Sequence, residues 1–93
     1  MITAKEAERI AAERLREHSP NCKIASRGWY EDDEYYVPIL SMEPEARGRP
    51  NFLVSKHTGH AEEFHYRPNR PIAARLKAMK RTKYLVPKVV ISP

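Results

Sequence analysis

The stretch that decides the fold is NFLVSKHTGHAEEFHY, residues 51–66, because it contains the clearest turn in the chain. Residues with high strand propensity lie on both sides of Gly59. Glycine readily adopts the positive φ angle that a tight hairpin or a G1 bulge requires, so Gly59 is expected to set the register of the two strands. The stretch therefore predicts an antiparallel β-hairpin.

Two more strands are predicted before this hairpin. Residues 22–30 alternate with a period close to two, and the acidic cluster of residues 31–34 then breaks the pattern. Residues 35–42, YYVPILSM, are rich in strand-forming side chains. Because Pro38 cannot donate a ladder hydrogen bond, we expect this strand to lie at an edge or to be interrupted there. Residues 43–50 have the composition of a loop.

A helix is predicted to precede the strands. Thr3 and Glu6 match the capping box, in which the threonine oxygen accepts a hydrogen bond from the N3 amide, so the helix should begin just after Thr3. It should end near His18, because Pro20 disfavours helical geometry in the residue before it. The apolar side chains that share one helical face are Ala7, Ile10, Ala11 and Leu15.

The last third of the chain is predicted to add a second helix and a tail. Residues 67–70 break the preceding pattern, and Pro71 suits the first position of a helix. Apolar residues at helical spacing then predict a short basic amphipathic helix over residues 71–83. Residues 84–91 form an apolar extended segment, which either adds to a sheet edge or serves a partner.

Length and composition allow one small domain. A chain of 93 residues, of which 41% are hydrophobic and 31% charged, can bury one modest core. We therefore predict an α+β fold in which the N-terminal helix packs on a curved antiparallel sheet of three to four strands. Residues 1–66 are expected to form the αβββ core, and residues 67–93 the basic C-terminal helix and extended tail of the same domain.

The positive charge is concentrated in the last third of the chain. The net charge is +5, but residues 1–66 hold 9 Lys/Arg and all 12 Asp/Glu, whereas residues 67–93 hold 8 Lys/Arg and no acid. The two parts therefore carry −3 and +8. Such a segment attracts anionic partners, although the same charge can serve only to solvate a helix face.

The sequence also bears on the compartment. No apolar run approaches the ~20 residues that span a membrane, and the charged, amphipathic N-terminus does not resemble a signal peptide. Cys22 is the single cysteine and cannot form an internal disulfide, whereas small secreted domains usually contain several. We therefore expect a cytoplasmic protein that does not associate with membranes.

No residue pattern predicts catalysis or a cofactor. His57, His60 and His65 could bind a transition metal only if they converge, and positions 60 and 65 point to opposite faces of a regular strand. Cys22 is expected to be a small buried hydrophobe and not a nucleophile. The acidic residues 31–34 lack the ligand spacing of a calcium loop. We therefore predict a protein that is not an enzyme and has no metal or cofactor.

The order of these elements resembles a known αβββ pattern. The capped helix over residues 2–11, the pair Tyr36-Val37 and the hairpin FLVSKHTG at residues 52–59 resemble PepSY-like domains and YrhB-like bacterial immunity proteins. The resemblance covers residues 1–66, and it implies a helix on a curved antiparallel sheet that binds or inhibits another protein. The chain departs from the pattern at Ser55, where those families commonly have an acidic residue, and in its basic C-terminal extension.

The predicted function is therefore protein binding. We expect an inhibitor or immunity-type module that acts on a bacterial toxin or defence enzyme, encoded by a bacterium or a phage, and that docks on an acidic surface of its partner. The alternative is an accessory nucleic-acid-binding protein that contacts phosphates through the same cations. The candidate partner-binding residues are Arg75, Lys77, Lys80, Arg81, Lys83, Trp29 and Tyr35.

The sequence allows two roles for the aromatic residues and two routes to a homodimer. The aromatic residues beside the acidic turn, Trp29 and Tyr35 among them, suit either a binding hot spot or cross-strand packing in the core. A homodimer could form through the strand that Pro38 breaks or through the apolar residues 86–91.

Overall fold

The computed structural model describes residues 1–45 and 50–92 of the chain. Over these residues it has two helices and one six-stranded antiparallel sheet, which confirms the predicted α+β class with more strands than the three to four expected. Neither described helix is long and apolar enough to cross a membrane. The elements are α1 (Ala4–His18), β1 (Lys23–Glu31), β2 (Tyr35–Glu43), β3 (Asn51–Ser55), β4 (Ala61–Phe64), α2 (Pro71–Ala78), β5 (Lys80–Lys83) and β6 (Val89–Val90).

Helix α1 begins and ends where the sequence predicts. The Thr3 hydroxyl accepts a hydrogen bond from the Glu6 backbone N–H at 3.2 Å, as the capping box requires. At the other end, the Ser19 N–H donates to the Leu15 carbonyl and closes the last turn. The predicted helix boundaries are therefore confirmed.

Replacement of Thr3 by alanine tests this cap. The change leaves the Glu6 N–H without its side-chain acceptor, so we expect the free energy of unfolding to fall by about 1 kcal/mol. Thr3→Ser is the matched control because it keeps the hydroxyl oxygen, and it should retain most of the stability. Urea denaturation of the three proteins measures the difference, and equal loss in both variants would contradict the capping role.

Helix α1 covers one face of the sheet, and the main core lies between them. Phe52, Ile24 and Val54 are the largest fully buried hydrophobic side chains, and they lie in β3 and β1 beneath the helix. Three alanines of α1, Ala7, Ala11 and Ala12, are buried in this core, and their small side chains allow the helix to approach the sheet closely. Leu15 of the same helix is also buried there.

The β3–β4 hairpin forms as predicted. Gly59 has φ 75°, and its N–H donates to the Ser55 carbonyl at 2.9 Å. Strand β2 lies between β1 and β3, and it pairs with β3 through Tyr35 and Tyr36, opposite Ser55 and Val54. This ladder stops before Pro38, but β2 continues unbroken to Glu43, and Pro38 lies opposite Trp29 of β1. The expectation that the strand lies at an edge or is interrupted at Pro38 is therefore wrong, and only the pairing with β3 ends before this residue.

The predicted basic helix over residues 71–83 is wrong in its second half. Pro71 does occupy the first turn, but the helix ends at Ala78 and Met79 has an extended conformation, with φ −78° and ψ 147°. Lys80–Lys83 then form β5, in which Thr82 lies opposite Trp29 of β1. The backbone hydrogen bonds available along β1 outweigh the helix propensity of a Lys/Arg-rich run.

The C-terminal tail pairs with β1, on the same side of that strand as β5. Strand β5 pairs with residues 28–31 of β1, and β6 pairs with residues 25 and 26. The two strands therefore form one interrupted edge, and residues 84–88 bulge outward between them. The Ile91 N–H donates to the Ile24 carbonyl at 2.8 Å, and the Arg16 guanidinium donates to the Ile91 carbonyl. Lys80, Arg81 and Lys83 therefore lie in a strand of the folded sheet, whereas Lys88 lies in the segment between the two strands.

A β-bulge at Gly28 allows the backbone of β5 to lie close against β1. The register between β1 and β2 shifts between Ser26 and Trp29, and Gly28 has φ 133°. The buried Ser26 hydroxyl accepts from the Gly28 N–H and donates to the Gly28 carbonyl, at 3.1 and 3.0 Å. A Cβ atom at Gly28 would lie 1.9 Å from the Thr82 carbonyl oxygen. Only glycine suits this position, because of both the backbone angle and the close approach of β5.

Candidate functional site

The seven predicted binding residues do not share one helix face. Arg75 and Lys77 lie on α2, whereas Lys80, Arg81 and Lys83 lie on β5. Within β5 the side chains alternate, so Lys80 lies on the face of the sheet that α1 covers, and the other two cations lie on the opposite face. The prediction of a single basic helix face is therefore corrected.

Arg75 and Tyr35 contact each other at the β1–β2 turn. The Arg75 Nε donates to Asp32 Oδ2 at 2.9 Å, and its guanidinium carbon lies 4.7 Å from the centroid of the Tyr35 ring. Burial opposes the ionisation of Asp32, but hydrogen bonds from the Glu34 N–H, Arg75 and the Tyr35 N–H hold the pKa of this carboxyl below its ordinary value. These contacts fasten α2 to the turn, so both side chains have a structural partner within the chain.

A second ion pair lies on the α1 face of the sheet. The Lys56 ammonium donates to Glu31 Oε2 at 2.7 Å and lies 4.6 Å from the centroid of the Tyr36 ring. The Trp29 indole N–H donates to the other oxygen of the same carboxylate at 3.1 Å. The hydrogen bond from Lys56 lowers the pKa of Glu31 and raises that of Lys56, although burial opposes both shifts.

Trp29 also packs against the segment that follows β5. Its ring and that of Tyr84 form an edge-to-face pair with centroids 5.8 Å apart. The Tyr84 hydroxyl donates at 2.5 Å to Glu8, a carboxylate of α1 that is only 3% exposed. Burial and this hydrogen bond raise the pKa of Tyr84 well above its ordinary value. Trp29 is half-buried in these contacts, so its position is that of a packing residue.

The bulging loop of residues 84–88 forms one wall of a basic pocket. The pocket has a volume of about 450 Å³. No Asp or Glu lines it among the described residues. Leu85, which is fully exposed, and Val86, which is also exposed, belong to its lining. Four cations line this basic pocket: Arg27, Arg81, Lys83 and Lys88.

An apolar groove lies beside this pocket, between α2 and the open part of the sheet. Its volume is about 390 Å³. Its apolar surface comes from α2, from the strands and from the residue that links α2 to β5, and Lys77 and Asn51 are polar residues of its lining. The side chains that give the groove its apolar character include Val37, Ile39, Phe64, Leu76 and Met79.

One pair of side chains joins the groove to the basic pocket. Tyr30 lines the groove, whereas Arg81 lines the pocket. The two residues lie directly opposite each other on β1 and β5, and the Arg81 guanidinium carbon is 5.6 Å from the centroid of the Tyr30 ring. Apolar and cationic surfaces are therefore continuous on the face of the sheet that α1 leaves open.

The other candidate groups do not converge. His57, His60 and His65 are all exposed, and within residues 1–45 and 50–92 no three metal-ligating side chains come together. Cys22 is half-buried against the main core. In the acidic turn, the Asp32 carboxylate accepts from two backbone N–H groups and from Arg75, so its oxygens are engaged in holding the turn.

The sequence-based set omitted two cations of the basic pocket, Arg27 and Lys88. Arg27 lies in β1 beside the bulge, and its carbonyl accepts from the Tyr84 N–H at 3.2 Å. The isolated Gly28 that follows it was the available signal, because a lone glycine within a strand pattern indicates a bulge or a close backbone approach. The sheet then brings these residues, which are distant in sequence, into one pocket.

The chain matches no protein-family model, no curated protein and no solved structure.

Proposed function

We propose that the chain is a small cytoplasmic protein-binding module, without enzymatic activity, that docks its basic pocket on an acidic surface of a partner protein. An inhibitor or immunity-type protein that acts on a bacterial toxin or defence enzyme is the form that we favour. The resemblance of residues 1–66 to PepSY-like and YrhB-like domains supports this form. The observation that carries the proposal is the basic pocket itself, whose lining combines four cations with exposed apolar side chains.

The exposed leucine favours a protein partner over a nucleic acid. Contacts to phosphates are made by cations and hydrogen-bond donors, and they make no use of a fully exposed Leu85 beside Val86. A protein interface, in contrast, buries apolar side chains at its centre and places charged groups at its rim. An acidic rim on the partner would pair with Lys83, Lys88 and Arg27 while its centre covers the loop.

Charge reversal in the pocket tests the proposal. The variant Arg27→Glu/Lys83→Glu/Lys88→Glu should weaken binding by at least roughly 100-fold, because the loss of three attractions of up to about 1 kcal/mol each already amounts to that factor and the new repulsions add to it. The matched control is Lys5→Glu/Lys23→Glu/Arg67→Glu, which has the same net charge but changes exposed residues outside the pocket.

The measurement has two steps. Tagged wild type is used to capture partners from the source cell, and the partner that is enriched over the tag alone is purified and titrated by calorimetry with all three proteins. We expect wild type and the control to bind it alike and the pocket variant to lose it. A partner that binds all three proteins with equal affinity would refute the pocket as the docking site.

The second candidate function is nucleic-acid binding, which the four cations in the pocket lining favour. Generic duplex DNA, single-stranded DNA and RNA are titrated at low and at moderate salt. Absence of binding at low salt removes this candidate. Tight binding that weakens with salt, and that the pocket variant loses, would replace the protein-binding proposal.

A further inference from the structure

We infer that the partner presents a short acidic-apolar segment, in which one apolar side chain enters the groove beside α2 and neighbouring carboxylates reach Arg81 and the basic pocket. This inference rests on the proposed function and deepens it, because it specifies the chemistry that the partner presents. The occupant is a segment of a different protein, and it is recognised by the combination of an apolar anchor with acids.

The groove suits an apolar side chain. Its volume of about 390 Å³ falls within the range of specific binding pockets, which are mostly apolar and contain a few polar groups that fix orientation. Here Phe64, Ile39 and Leu76 are among the apolar lining residues, and each of them is half-buried. An aromatic or aliphatic side chain from a partner would cover these surfaces and remove them from water.

The cations around the groove specify acids beside the anchor. Lys77 lines the groove on the α2 side, and Arg81 lies against the ring of Tyr30 on the β1 side. From Arg81 the surface continues into the basic pocket with Lys83. An extended segment advances about 3.3 Å per residue, so carboxylates within about four residues of the anchor can reach these cations.

The charges also disfavour a second copy as the occupant. Leu85 and Val86 are exposed and could enter the groove of another copy, but Lys83 and Lys88 flank them. These cations would then approach Lys77 and Arg81 of the groove, and like charges across an interface oppose association. An acidic segment meets no such repulsion.

Selection from a random peptide library displayed on phage tests the inference. Wild-type protein is the bait, and the enriched twelve-residue peptides are synthesised and titrated by fluorescence anisotropy. We expect them to contain an aromatic or aliphatic residue within about four positions of two or more Asp or Glu residues. The amide NMR signals that shift on binding should belong both to the groove, at Leu76 and Lys77, and to β5, at Arg81.

Two groove variants and one control complete the experiment. Lys77→Glu and Phe64→Ala should each lower the affinity for the peptides at least tenfold. Lys77 is exposed and Phe64 is half-buried. The control Lys5→Glu should leave the affinity unchanged. Thermal unfolding checks that each variant folds. Failure to enrich any peptide, peptides without acids or without an apolar residue, or NMR shifts confined to other surfaces would overturn the inference. A concentration-dependent dimer that Leu85→Ser abolishes would also overturn it, because the occupant would then be a second copy.

The outcome separates the inference from the proposed function. A partner that the charge-reversed pocket loses, but that Lys77→Glu and Phe64→Ala bind with wild-type affinity, refutes the groove segment alone. A partner that none of these changes affects refutes both.

Discussion

Replacement of Gly28 by alanine is expected to lower the free energy of unfolding by at least about 2 kcal/mol. The new Cβ would lie 1.9 Å from the Thr82 carbonyl oxygen and 2.9 Å from the Cα of Lys83, both of which belong to the backbone of β5. A backbone cannot move aside as the end of a flexible side chain can, so β5 must separate from β1. The φ angle of 133° adds strain of about 1–3 kcal/mol for a residue with a side chain.

Gly59→Ala is the matched control for this prediction. Gly59 also has a positive φ, of 75°, but a Cβ there would lie 3.5 Å from Ile10 Cδ1 and 3.7 Å from Ile2 Cγ2, which are ordinary contacts. Its cost should therefore be limited to the conformational strain of about 1 kcal/mol. Thermal and urea denaturation compare the two variants, and the midpoint of Gly28→Ala should fall by roughly 10 °C. Equal destabilisation in both would show that β5 is not tightly fixed to β1.

Replacement of Lys56 by methionine is expected to cost about 2 kcal/mol. The change leaves the Glu31 carboxylate with the Trp29 indole N–H but without its cation, and it removes the contact of the ammonium with the Tyr36 ring. Loss of one partner from a fully buried ion pair costs about 3–5 kcal/mol. We expect a smaller loss for this pair because it is only partly buried: the side chains of Lys56 and Glu31 are 12% and 26% exposed.

The double variant Lys56→Met/Glu31→Gln is the control, since it removes both charges. It should recover much of the lost stability, because no unpaired half-buried charge remains. A double variant that is less stable than Lys56→Met would show that the unpaired carboxylate is not the source of the cost. A double-mutant cycle measured by urea denaturation at pH 7 gives the coupling energy.

The same pair makes stability depend on pH. The pKa of Glu31 is lowered from its ordinary value of 4.5, so the pair stabilises the fold fully above about that pH and loses this contribution as the pH falls through the lowered pKa. The stability of wild type should therefore decline more steeply than that of the double variant as the pH falls from about 5 to about 3, because this window begins just above the ordinary pKa of a glutamate and extends below it. Parallel declines would show that Lys56 does not hold Glu31 ionised.

The parts of the fold that the sequence predicted correctly have short-range causes. The cap at Thr3, the turn at Gly59 and the start of α2 at Pro71 each depend on residues within a few positions of one another. Strand β5 has no such local cause. Residues 80–83 are mostly lysine and arginine, which are good helix formers, and they become a strand because β1 offers hydrogen bonds from a distant part of the chain.

The candidate site could likewise be predicted only where it depends on local sequence. Charge counting located the basic third of the chain, and Arg81 and Lys83 of the predicted set do line the basic pocket. Arg75 was assigned by helical spacing, but the fold engages it with Asp32 and Tyr35. The apolar groove could not be predicted, because it exists only where the short α2 leaves part of the sheet uncovered.

The interrupted edge of β5 and β6 also has a consequence for the order of folding. Strand β1 can pair with β2 early in synthesis through a short turn, but its other edge stays open until residues 80–91 have been made. Pairing between such distant segments is slow, because a long loop must close before any hydrogen bond forms. A nascent or truncated chain that ends before Lys80 therefore exposes an unprotected strand to aggregation and to chaperones, and residues 80–91 complete the native sheet by covering it.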